Sequence, residues 1–257
     1  MLKFTSIGDC CVDVYPELEQ AFLGGSAFNV CLAAQKLKVK TTLISTIGTD
    51  SWGKKYLAVC QKLKINSRFL SSFPAKTSHV AINLNQYHSP VFSQWQLGVL
   101  KKFKLNTSHQ KFLSTQTAAH CIAIKPLKLI LKQFCQMNLP NVFKSADFDG
   151  NTPYTFSNAA LKKYAPAFDL IVASRPVAIK HQMILITMGK RGSRVITPQK
   201  TYFQPSIKTK AADTTGAGDA YLATFIIKYL QTKNIPKAMF LATQAAAQKI
   251  TRLGASS

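Results

Sequence analysis

Acidic side chains are scarce. Of 257 residues only ten are Asp or Glu, against 33 Lys or Arg, and the formal net charge is +23. Glu17 and Glu19 are the only glutamates, so the imbalance comes largely from absent acids. The lysines are spread through 36–40, 54–64, 101–111 and 125–132 with no zinc-finger, helix-turn-helix or RNP-like string beside them. That argues against a specific nucleic-acid partner. The six cysteines (10, 11, 31, 60, 121, 135) include no C-x-x-C pair, and the five histidines no H-x-x-x-H. Buried reduced thiols of a cytoplasmic protein are the expectation, not disulfides or metal ligands. No run of 18 apolar residues is present to span a membrane. The opening M-L-K-F-T-S-I-G-D reads as a strand entering a polar turn, not as a signal peptide. Without internal repeats, residues 1–257 are expected to form one large α/β domain.

Against that scarcity, two aspartates lie six positions apart in D-T-T-G-A-G-D-A-Y-L-A-T-F, residues 213–225. Gly216 and Gly218 permit a tight turn and close approach of a ligand to the backbone. From Ala217 the spacing turns helical, with Tyr221, Phe225, Ile226, Tyr229 and Leu230 continuing one face. A Gly-rich turn feeding a helix N-terminus seats phosphate or a developing oxyanion, because the first amides are unpaired and the dipole end is positive. Asp219 in the first turn is either a helix-dipole partner or a base that takes a proton from an attacking hydroxyl.

Elsewhere the order is βαβα, the grammar of a parallel sheet covered by helices. Strands are expected at 2–7, 41–47, 118–124, 142–148, 169–173 and 183–187, and a hairpin at 193–197 and 201–204. Helices are expected after Ser26 (a candidate N-cap), at 52–63, 127–137 and 157–164, and from Ala217 and Pro236. Parts of 14–22 and 77–95 interrupt the alternation and read as a small β lid. Ligands of open α/β sheets lie beyond the carboxyl ends of the strands. The loops at Gly8-Asp9, 48–50, 147–149, Ser174 and Gly189 should therefore converge.

D-T-T-G-A-G-D resembles the C-terminal signature of the ribokinase-like (PfkB) carbohydrate kinases. G-G-S-A-F-N-V at 24–30 is similar to their N-terminal G-G-x-x-x-N, and T-M-G-K-R-G-S at 187–193 to their T-x-G-x-x-G segment. The closing 241–255 resembles the family's last helix. The resemblance implies a three-layer α/β sandwich with a mostly parallel sheet and a β lid. It makes Asp219 the general base and Gly216, Ala217 and Gly218 the anion hole. Gly24, Gly25 and Asn29, with Asp9 and Asp13, become sugar ligands, since an aspartate can accept the protons of a vicinal diol. Ser174, Thr187, Gly189, Gly192 and Thr243 are placed about ATP, with Thr243 where many members carry an asparagine beside adenine. ATP with Mg²⁺ is implied, as is a monovalent cation near Asp213 in some members. Pairing of two copies through the lid is also compatible.

Within the family, G-D-C-C-V-D-V-Y-P at 8–16 with G-G-S-A-F-N-V is most similar to fructoselysine 6-kinases, which phosphorylate the 6-hydroxyl of a glycated lysine. A kinase of fructose, ribose or a nucleoside, and a non-catalytic basic binding protein of the same fold, are the alternatives. One departure stands out. After the strand at 169–173 the family continues N-x-x-E and a helix, whereas here S-R-P-V-A-I-K-H-Q runs almost directly into the next strand. The glutamate that helps organise Mg²⁺ through water has no counterpart.

Overall fold

A computed structural model describes residues 1–149 and 152–254. Ala255, the end of the resembling closing segment, lies outside them. Among the described residues a nine-stranded sheet forms the centre. β1 (Lys3–Ile7) is flanked by β4 (Lys40–Gly48), then β5 (Asn66–Phe73), on one side. On the other come β8 (Ala118–Ile122), β9 (Phe143–Asp147), β10 (Leu170–Ala173), β11 (Ile184–Thr187), β12 (Ser193–Ile196) and β13 (Thr201–Gln204). All pairs are parallel from β5 to β11, and the β11–β12 and β12–β13 pairs are antiparallel.

Register explains the layers. Ile7, Ile44, Cys121, Ala146 and Ile171 sit side by side and pack with Leu113 of α3 (Thr107–Leu113), Phe134 of α4 (Lys128–Gln136) and Leu161 of α5 (Asn158–Tyr164). Phe4, Leu170, Val172 and Leu185 instead meet α1 (Ser26–Lys36), α6 (Ala217–Thr232) and α7 (Ile235–Lys249). α2 (Ser51–Lys62) joins β4 to β5. The result is a three-layer α/β sandwich. The cysteines are all free and five are buried, so each behaves as a small apolar side chain. No helix among the described residues is long and apolar enough to cross a membrane.

A second sheet of four strands, in the order β3-β2-β6-β7, stands over the first: β2 (Cys11–Tyr15), β3 (Gln20–Gly24), β6 (Ser78–Leu84) and β7 (Pro90–Gln96). Its first hairpin begins at Cys11, so Asp13 lies on a strand within the sheet and not in a loop ahead of it. Asp50 ties the base of this sheet down. Its carboxylate accepts from Gly53 N–H at 2.9 Å, Thr77 N–H at 2.8 Å and the Thr77 hydroxyl at 2.6 Å.

The connection from β10 to β11 contains no helix. Residues 174–183 cross as an irregular strap, and Val177 and Ile179 pack onto the core. Arg175 pins one end through Phe156 O at 2.7 Å and through Asn158 Oδ1, and His181 pins the other through Phe168 O at 2.8 Å. Ten residues are close to the shortest span that joins neighbouring parallel strands.

Candidate active site

Chain order in the sheet reverses between β8 and β1, and there the strand ends open a cavity of about 280 Å³. Asp9, Ile122, Asp147, Asp149, Ser174 and Thr187 reach it from the main sheet, Asp13, Phe92 and Trp95 from the small one. Gly25, Ser26 and Asn29 at the start of α1 meet Thr215, Gly216, Gly218 and Asp219 at the start of α6. Among the described residues, five of the chain's ten carboxylates line this one space, and no Lys or Arg does.

Asp219 is held from both sides by α1. The Ser26 hydroxyl donates to its Oδ1 at 2.5 Å and the Asn29 side-chain amide to its Oδ2 at 3.0 Å. Ser26 is therefore not the helix cap. Gly25, with φ of 89°, takes that position and frees the hydroxyl to cross to α6. Asn29 is buried and its Oδ1 has no partner among the described residues. An unpaired buried acceptor is costly, and a hydroxyl brought by a ligand would satisfy it.

The turn before α6 is built by Gly216 in the left-handed region at φ 78°. Ala217 N–H bonds back to Thr214 O at 3.1 Å, so of the three expected hole residues its amide is already used. Gly218 and Asp219 supply the next first-turn amides. A Cβ placed on Gly218 would meet nothing within 4 Å, which leaves room for a phosphoryl group against the backbone. The other end of the turn is locked: Thr214 donates from its amide, at 3.1 Å, and its hydroxyl, at 3.2 Å, to His88 O at the tip of the β6–β7 hairpin. The small sheet thus rests on the turn before α6.

Among the expected sugar ligands, Asp9 accepts from Ala27 N–H at 3.3 Å. Gly24 does not line the cavity. It gives way to Asp13, whose carboxyl carbon would lie 2.2 Å from any Cβ at that position, and its backbone pairs with the Tyr56 hydroxyl. The nucleotide segment is only partly gathered. Ser174 and Thr187 reach the cavity, whereas Gly189, Gly192 and Thr243 do not, and Thr243 donates to Met239 O in its own helix. The 48–50 loop also stays away, engaged with the base of the small sheet. The 147–149 loop arrives where it was expected, although neither of its carboxylates was named as a ligand, and Trp95 and Tyr154 were not expected at all. For the two acids a signal existed, a carboxylate pair at a strand's carboxyl end in an acid-poor chain.

Burial pushes the Asp219 carboxyl up to about 6, opposed by the Ser26 and Asn29 hydrogen bonds and assisted by Asp9 and Asp149. Asp147 goes up to about 7, through burial and then the adjacent Asp149 charge. Asp9 is raised by burial, and Asp13 well above the usual carboxylate range by burial and the neighbouring carboxylates. A base must be ionised to accept a proton. The acceptor kcat/KM should therefore climb with pH through about 6 and then level. Ser26→Ala removes a donor that favours the carboxylate, so the climb should move to higher pH. A pH profile that stays in place in the variant would leave Ser26 without this role.

A buried, poised carboxylate facing a helix N-terminus, at the switch point of an α/β sheet, is the equipment of an enzyme that transfers a group to an alcohol. Comparison with known proteins makes that particular. The chain belongs to the pfkB family of carbohydrate kinases, whose profile matches residues 5–176 and 169–257. It is 24% identical to fructoselysine 6-kinase of Shigella flexneri over 99% of this chain and 100% of that one. To a fructosamine kinase of Bacillus subtilis it is 23% identical, over 99% and 93%. A sugar kinase of Pyrococcus horikoshii, solved with ATP, shares the fold at a TM-score of 0.81 and 20% identity, over 98% and 94%. The protein is a sugar kinase with the ribokinase-like fold.

Proposed function

We propose that this kinase phosphorylates the 6-hydroxyl of fructoselysine or a closely related glycated amine, using ATP, in the cytoplasm. The pairing of Asp219 with Ser26 and Asn29 carries the reading, because it couples the expected sugar loop directly to the expected base. The acceptor hydroxyl approaches Asp219, which takes its proton as the oxygen attacks the γ-phosphorus of ATP. The bond from that phosphorus to the β–γ bridging oxygen breaks, and ADP leaves. The Gly218 and Asp219 amides face the charge of the transferring group, and Asn29 Oδ1 accepts from a sugar hydroxyl. Two of the chain's relatives are named fructoselysine 6-kinase and fructosamine kinase, and the G-D-C-C-V-D-V-Y-P opening leans the same way.

A divalent cation fits the donor set. Carboxylates at Asp147 and Asp149 line the cavity, and burial, followed by the neighbouring Asp149 charge, pushes Asp147 up to about 7. No three His, Cys, Asp or Glu side chains among the described residues form a cage. One or two carboxylates with nucleotide phosphates is the way Mg²⁺ is usually held, and when bound it supplies charge neutralisation at the β and γ oxygens. Asp213 is not where this chain would hold a monovalent cation. Its oxygens already accept from Tyr15, Thr215 and Gly254.

Release of ADP over a panel of fructoselysine, fructose, ribose and adenosine tests the reading. The largest kcat/KM is expected for fructoselysine. Preference for ribose or adenosine would move the protein to another kinase of the family. No turnover on any, with salt-sensitive binding to DNA, would favour a basic binding protein, although the dispersed lysines point to sequence-blind attraction alone.

A further inference from the structure

Part of the cavity wall is made of aromatic and apolar groups from two different parts of the fold. Val80, Pro90, Phe92 and Trp95 come from the small sheet, and Tyr154 from the loop after β9. Trp95 owes its position to a fault in the strand pairing. His79 pairs with Gln96 but Ala81 with Ser93, so β7 carries one residue more than β6 over this stretch. The surplus falls at Gln94, whose φ of 47° lies in the left-handed region that non-glycine residues rarely adopt. Such bulges re-aim a side chain, and here the re-aimed one is the indole.

The ring is then fixed. Its N–H donates to Ser78 Oγ at 2.8 Å, and Tyr154 packs against it at 4.8 Å between centroids and 78° between planes. A strained residue and a committed indole N–H hold an aromatic surface in the same cavity that Asp9 and Asp13 line. Aromatic faces and carboxylates share one preferred guest, an organic cation.

Resting on the reading of the chain as a kinase of a glycated amine, we propose that the Trp95 indole, braced by Tyr154, seats the protonated amine carried by the acceptor sugar. Trp95 would then be the residue that distinguishes an amine-bearing sugar from the plain one. Neutral sugars would fill the region around Asp9, Asp13 and Asn29 and leave the aromatic wall unused. A purine would find stacking surface there but no use for the carboxylates.

The test compares fructoselysine, 1-amino-1-deoxyfructose, fructose and adenosine as acceptors of the wild type, Trp95→Phe and Trp95→Leu. Leucine keeps an apolar filling but has no π face, while phenylalanine keeps the face. The readout is the ratio of kcat/KM for each amine to that for fructose. That ratio is expected to fall about tenfold in Trp95→Leu and to be largely retained in Trp95→Phe. An unchanged ratio in Trp95→Leu, or equal loss for fructose and the amines, would overturn the proposal. Calorimetric titration of the same compounds separates it from the kinase reading. Amine binding that depends on the aromatic ring, without turnover, would support the subsite and sink fructoselysine phosphorylation. Indifference of binding to the amine would sink the subsite alone.

Discussion

Asp219→Asn should slow phosphoryl transfer by roughly 10²–10⁴-fold, about 3–5 kcal/mol of barrier, while ATP binds almost as before. The substitution keeps the shape of the side chain and removes its ability to accept a proton. Ser26 can go on donating to the remaining carbonyl oxygen. The introduced NH₂ would face the Asn29 NH₂, and that clash is relieved by turning the Asn29 amide over, which presents its partnerless Oδ1. The two helix N-termini therefore stay joined and the variant should fold. Single-turnover rates of ADP formation, with calorimetry for ATP, separate chemistry from binding. Retention of most of the wild-type rate would demote Asp219 to a helix-dipole partner.

The turn and helix carrying Asp219 were legible because glycines, periodicity and a carboxylate agree within thirteen residues. The parallel strands β1, β4 and β8 to β11 were legible as short β-rich runs set between helical segments. β5 was not read as a strand. N-S-R-F-L-S-S-F lies at the sheet edge with most of its side chains outside the core, so it shows neither an apolar run nor alternation. α3 was missed because its start is closed by Asn106 and His109, a capping box with histidine in place of the usual Glu or Gln.

Ser26 is a subtler case. Serine before an apolar run reads as a cap, yet the preceding glycine can cap as well, and only the arrival of α6 decides that the hydroxyl serves Asp219. The aromatic wall is harder still, since nothing in Q-W-Q announces a bulge at Gln94. Residues whose role depends on one chain segment were readable. Those whose role depends on two distant segments meeting were not.

Asp213 shows the same division and gives the largest expected loss of stability. The family resemblance marked it only as lying near a monovalent cation in some members, while the structure makes it a tie between three distant segments. It is fully buried. Its Oδ1 accepts from Thr215 N–H at 2.8 Å and the Thr215 hydroxyl at 2.6 Å, and its Oδ2 from the Tyr15 hydroxyl at 2.8 Å and Gly254 N–H at 3.0 Å. Burial and the nearby carboxylate keep Tyr15 protonated, so it remains a donor. Asp213→Asn preserves the Oδ1 side but places an NH₂ opposite two donors. The Tyr15 hydroxyl can rotate and accept, whereas the Gly254 amide cannot. One mismatched buried donor and the loss of charge-assisted bonds should cost roughly 2–4 kcal/mol. For a chain of this size that is a fall in Tm of roughly 5–15 °C. Asp213→Ala, which removes all four acceptor contacts, should fall further. Tyr15→Phe alone should cost less, and combined with Asp213→Asn it should cost less than the two separately, because they share one bond. Thermal unfolding followed by circular dichroism without ligand measures each step. If Asp213→Asn melted within two or three degrees of the wild type but lost turnover, the carboxylate would be serving the reaction and not the fold, and the tie between β2, the α6 turn and the chain's last described residues would carry little of its stability.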